Sequence, residues 1–118
     1  MSRRMSCSMT IDAVRDRTKT VTRRHVDTWT TLKAGDRLTL IEKGMGLPKG
    51  AKQVVLAEVE IVDACIDAVG NITARECELE GFPDMHPDEF RRFWLRCHGY
   101  AADADLRTPC RRIEWRYL

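Results

Sequence analysis

Within ten residues near its N-terminus the chain carries Arg15, Arg17, Lys19, Arg23 and Arg24 against a single acid, Asp16. Cations at that density hold phosphates, and Trp29, a few residues on, is an aromatic against which a base would stack. A core position for Trp29 is the equal alternative. The C-terminal end adds Arg107, Arg111, Arg112 and Arg116. Residues 56 to 90 reverse the sign, with Glu58, Glu60, Asp63, Asp67, Glu76, Glu78, Glu80, Asp84, Asp88 and Glu89 against Arg75 alone. The net charge of +2 therefore hides a segregated chain. If the two basic segments share a side, they form a phosphate-attracting patch with the acidic side facing away. His25 is the one histidine beside the basic segment. RNA cleavage by general acid–base chemistry wants paired groups, so a single histidine is a weak signal for a nuclease.

Other chemistries find little support. The five cysteines, Cys7, Cys65, Cys77, Cys97 and Cys110, are scattered and form no C-x-x-C pair, so neither a zinc knuckle nor a dithiol redox motif is expected. Free thiols of a reducing compartment are the simpler reading, and neither a metal nor a cofactor is implied. No apolar run approaches the ~20 residues that span a bilayer. The start, MSRRMSCSM, lacks the apolar stretch of a signal peptide, so a cytoplasmic protein with no membrane partner is expected. No oligomer interface is legible.

These residues need elements to position them. At 118 residues, 43% hydrophobic and 32% charged, the chain has the size and balance of one globular domain, residues 1–118, with 1–7 expected as a flexible tail. Thr10 is placed to cap a short helix running to Arg15, with Ile11 and Val14 on one face. Thr18 to Arg24, rich in Thr and Val, reads as extended chain. Ala34-Gly35-Asp36 is a turn into a strand over 37–43, and Gly44 to Gly50 is a loop by composition. Residues 53–64 alternate as a long strand that pairs with the one before it. Thr73-Ala74-Arg75-Glu76 has the capping-box form, and Gly81 is a natural stop for the helix it opens. Pro87, Asp88 and Glu89 start a second helix, on which Phe90, Phe93, Trp94 and Cys97 recur at i, i+3, i+4, i+7, the spacing of a core-facing stripe. A terminal strand over 111–118 puts Ile113, Trp115 and Tyr117 on one face. Strands without a βαβ series predict an α+β fold: a small, mixed, mostly antiparallel β-barrel with about three helices outside.

The segment Arg17-Thr18-Lys19-Thr20-Val21-Thr22-Arg23-Arg24, after a short helix and before Gly35-Asp36, resembles the ASCH domain, a family similar to the PUA domain. Lys19, Thr20, Thr22 and Arg24 fit its G-x-K-T-x-T-x-R type signature, and Gly35 and Asp36 fit its "GD" turn. The order of later elements agrees, so the resemblance covers roughly residues 8 to 118. It implies a β-barrel with a cleft for RNA or a nucleoside, and a bacterial or bacteriophage source in which a host protein is a conceivable partner. Some small ASCH-like proteins are amidohydrolases acting on N4-acetylcytidine through a lysine, a threonine and a glutamate. The resemblance places those roles on Lys19, Thr22 and Glu80. A non-catalytic RNA-binding module and a ribonuclease are the alternatives. One departure stands out: Asp16-Arg17 occupies the place of the family's glycine, a residue that takes positive φ freely.

Two geometric expectations accompany the resemblance. Lys19 and Thr22 would point to opposite faces of a regular strand, so they share a site only if Lys19 belongs to the turn before it. Glu80 precedes Gly81 at a helix C-terminus, where a carboxylate opposes the dipole, which suggests a cationic partner such as Lys19.

Overall fold

The structure is a computed structural model and describes residues 3–44 and 46–118. Among the described residues, five strands form one curled, mixed, half-barrel sheet in the order β1-β3-β4-β5-β2, and three α-helices accompany it, which makes the fold α+β. The long β4 (Val55–Ala68) is the spine, pairing antiparallel with β3 (Arg37–Ile41) on one side and β5 (Pro109–Tyr117) on the other. It runs four residues beyond its expected end because Ala64 to Ala68 find partners in Ile113 to Pro109. β2 (Val21–His25) adds to the free side of β5 and becomes one edge.

The other edge corrects the expectation of a flexible tail over residues 1–7. Arg3–Ser6 forms β1, parallel to β3, and Met5 is fully buried. Met5 and Cys7 alternate with polar neighbours, so one face of this short segment is apolar, and the hydrophobic effect holds it against the sheet. Met1 and Ser2 lie outside the described residues.

Helix α1 (Ile11–Arg15) follows Thr10, whose side chain makes no cap hydrogen bond. That hydroxyl-bearing side chain instead packs close to Gly81, so the expected cap is traded for a helix contact. Helix α2 (Ala74–Glu80) starts at Thr73, which accepts from the Glu76 amide, and ends at Gly81 with φ 98°. Helix α3 (Pro87–Cys97) has the fuller cap: His86 accepts from the Asp88 amide, and the Glu89 carboxylate returns to the His86 amide. Leu38, Leu40, Val59, Ile61, Ile113 and Trp115 build one apolar cluster within the sheet. Val69, Cys77, Phe90, Trp94, Leu95 and Cys110 build a second beneath α2 and α3.

Strand order also corrects the expected charge segregation. The acidic stretch lies on β4 and α2, against the basic β2 and β5. Arg116 on β5 pairs with Glu60 on β4, and Arg23 and Arg112 both pair with Glu76 on α2. Opposite charges separated in sequence are thus neighbours in space.

Candidate active site

The site begins at the turn between α1 and β2. The Asp16 carboxylate accepts from the amide and hydroxyl of Thr18, at 3.0 and 2.6 Å, and closes a tight local turn. Arg17 takes φ 65°, the left-handed conformation that a glycine would adopt without cost. The turn leaves Lys19 ahead of the strand, and the Lys19 carbonyl accepts from the Trp115 indole at 3.1 Å and from the Tyr117 hydroxyl. The condition for a shared site is met: Lys19 and Thr22 line one cleft together with Glu80.

Lys19 is 3% exposed. Its Nζ donates to the carbonyls of Val21 at 2.9 Å and Glu80 at 2.5 Å, with a Glu80 carboxylate oxygen 3.7 Å away. Burial pushes the pKa of this amine below its ordinary 10.5, and the Glu80 charge only partly opposes that. Glu80 is brought there by the end of α2. A Cβ at Gly81 would stand 3.0 Å from Thr10 and 3.1 Å from Ala13, so glycine serves both the helix stop and the close approach of α1.

The nearest charge partner of Glu80 is Arg23, not Lys19. Arg23 donates to Glu80 Oε2 at 2.9 Å and to Glu76 Oε1 at 2.7 Å, and it is itself 3% exposed. The phosphate role expected of Arg23 is therefore overturned: it lines the cleft, but both terminal nitrogens are committed to Glu80 and Glu76 and its Nε is buried. Glu76 is held further by Arg112, whose hydrogen bonds, with those of Arg23, keep its carboxyl at about 2. This also corrects the capping box: Thr73 serves the Glu76 amide, but the Glu76 side chain goes to the two arginines.

Thr22 is buried, and its Oγ1 accepts from Arg24 Nε at 3.1 Å. Arg24 shares the Thr22 face of β2, and its other end donates to the Ser6 carbonyl at 2.7 Å. The remaining cations expected at the site stand elsewhere. Arg15 lies outside this cleft, paired with Glu42 at 3.4 Å, and Arg17 sits over the Tyr117 ring. Trp29 is not among the lining residues; it packs half-buried on the sheet core under the Arg3 guanidinium. His25 is also outside the cleft, stacked on Tyr100.

The cleft measures about 260 Å³ and is aromatic on its far side. Phe90, Phe93, Trp94 and Cys97, the stripe read as core-facing, all line it, with Phe90 and Trp94 serving the core as well. His98, one helical step (i+4) after Trp94, was missed although that spacing pointed to it. Ser6 to Thr10, the wall opposite, was missed with β1. Among the described residues no cluster of His, Cys, Asp and Glu is arranged to hold a metal ion, and no helix is long and apolar enough to cross a membrane.

Fold and site together define a class: an α+β half-barrel with a buried amine, a hydroxyl and a carboxylate on one small aromatic cleft. Comparison with known proteins adds the fold alone. No family model and no curated protein matches the chain. Among solved structures it is similar to protein EF3133 from Enterococcus faecalis V583, described as DUF984. The TM-score is 0.65 at 13% identity, over 92% of this chain and 69% of that one.

Proposed function

We propose that this chain is an ASCH-type amidohydrolase that removes the acyl group from an N4-acylated cytidine. The observation that supports the reading is that a buried Lys19 lines one nucleobase-sized cleft together with Thr22 and Glu80.

The chemistry follows from the contacts. A protonated lysine offers three N–H donors and a neutral one two. Two carbonyls, Val21 and Glu80, accept from Nζ, so the neutral amine is fully bonded and keeps its lone pair for a proton. Thr22 gives that proton to Lys19 and its oxygen adds to the acyl carbon. Arg24, donating to Thr22 Oγ1, eases the loss of the hydroxyl proton to Lys19. The intermediate collapses by breaking the C–N bond while Lys19 returns the proton to the departing N4 amine. Water then cleaves the Thr22 ester and releases the carboxylic acid. Glu80 attends the lysine while it is protonated, and Arg23 fixes the carboxylate that does so. Phe93, half-buried on the cleft wall, offers the base an aromatic surface.

Acetate release from N4-acetylcytidine tests this. Lys19→Met and Thr22→Val should each reduce kcat by ~10²–10⁴, the range of general acid–base catalysis. Absence of turnover, with oligonucleotide binding that weakens with salt and is lost in Arg24→Ala, would instead establish a non-catalytic RNA-binding module. RNA cleavage abolished by Lys19→Met would establish the ribonuclease.

A further inference from the structure

His98 closes α3, at the helix end where backbone carbonyls lack partners. Its Nδ1 lies 2.8 Å from the Trp94 carbonyl. A carbonyl only accepts, so Nδ1 must carry the proton, and a neutral ring with Nδ1 protonated leaves Nε2 as a bare acceptor. The ring is held once more, by a neighbour that is itself fixed. It stacks on Trp94 with centroids 4.1 Å apart and 23° between planes, and Trp94 is pinned to β2 by its indole donating to the Arg23 carbonyl at 3.0 Å.

His98 lines the cleft, and among the described residues no protein group bonds its Nε2. Burial lowers the pKa of the ring below its ordinary 6.5, against the opposing effects of the Trp94 carbonyl and the Glu80 carboxylate. His98 brings an oriented acceptor without a protein partner to a cleft whose polar lining also includes Lys19, Thr22, Arg24 and Glu80. We infer that His98 is the residue that reads the ligand, its Nε2 accepting a hydrogen bond from a neutral donor on the bound nucleoside. This rests on the nucleoside reading above and adds a specificity determinant to it. An N4-acylated cytosine supplies such a donor in its amide N–H, and the sugar supplies others in its hydroxyls. Acceptance of the amide N–H would select secondary amides over N-alkylated ones.

The test has two independent readouts. Imidazole ¹⁵N spectra of the ligand-free protein at neutral pH should show Nδ1 protonated and Nε2 bare; the opposite tautomer, or a charged ring, overturns the inference. In steady-state kinetics with N4-acetylcytidine, His98→Phe keeps the stack and removes the acceptor. It should raise KM about tenfold, the worth of one hydrogen bond, while kcat stays within ~3-fold. His98→Gln, which returns an acceptor, should recover most of that loss. Equal KM in all three proteins, or equal loss in both variants, overturns it. The wild type should also lose affinity for the N4-methyl analogue if the amide is the donor, or for the 2′-deoxy analogue if the sugar is, and His98→Phe should be blind to the same change. If the wild type hydrolyses no acylcytidine, the hydrolase reading falls. Addition of cytidine then decides: a displaced Nε2 resonance upholds His98 as the ligand acceptor, and an unmoved one removes it.

Discussion

Lys19 shows how much one residue's chemistry depends on the backbone before it. Read as part of a strand, it points away from Thr22; placed one turn earlier, it shares the cleft. The residue that makes the difference is Arg17, at φ 65°. An L-residue in this conformation costs about 1 kcal/mol or more, and the charged side chain partly offsets that by lying over the Tyr117 ring. Arg17→Gly should therefore change stability by no more than ~1 kcal/mol, in the stabilising direction, whereas Arg17→Val, branched at Cβ, should destabilise. Urea unfolding of the two variants measures this, and a Val variant as stable as the wild type would show that the turn does not hold this conformation in solution. Lys19, Thr22 and Glu80 were legible in the sequence through the motif and the helix end. His98 was signalled only by its i+4 relation to Trp94. The buried state of Arg23 was not legible, because its acids lie 53 and 57 residues away on another element.

At the scale of elements, α2 is the piece that assembles the site, although its seven residues carry little stability of their own. Its capping signal located it correctly, and Gly81 ended it where expected. The signal was misleading about Glu76, since a local rule assigns the carboxylate to the helix's own N-terminus while two arginines on β2 and β5 offer stronger, charge-assisted bonds. Those bonds lower the Glu76 pKa from an ordinary 4.5 to about 2. A carboxyl depressed in the folded state contributes stability that is fully present above 4.5 and is lost as pH falls toward 2. The acid limb of the stability curve should therefore steepen in that window. Glu76→Gln should lower stability at pH 7 and flatten the same limb, which thermal unfolding between pH 2 and pH 7 would reveal. An unchanged slope would mean that the two arginines are held by other acids.

For the whole molecule, the decisive feature is that β1 and β5, separated by β3 and β4 in one curled sheet, both support the cleft. β5, the last strand, carries the Trp115 indole and Tyr117 hydroxyl that hold the Lys19 backbone, while β1, the first, leads into the cleft wall opposite α3. The sequence suggests a loose basic start over residues 1–7, and in the structure Arg3 and Arg4 are exposed on a strand of only four residues. What the sequence could not show is that the β3 edge would otherwise go unpaired, and that Met5 and Cys7 complete its apolar cluster. Arg24 depends on the same segment, since the Ser6 carbonyl orients the guanidinium that donates to Thr22. Met5 is fully buried, so Met5→Ala removes packing from a closed core and should cost about 2–5 kcal/mol. Its effect should extend beyond stability. A loosened β1 lets Ser6 shift, so kcat for acylcytidine hydrolysis should fall even at temperatures where the variant remains folded. Arg4→Ala, which removes an exposed side chain of the same strand bonded to Gln53, should change neither quantity appreciably. If Met5→Ala destabilises by less than about 1 kcal/mol, β1 is not the packed edge this structure describes, and the cleft must hold its shape without it.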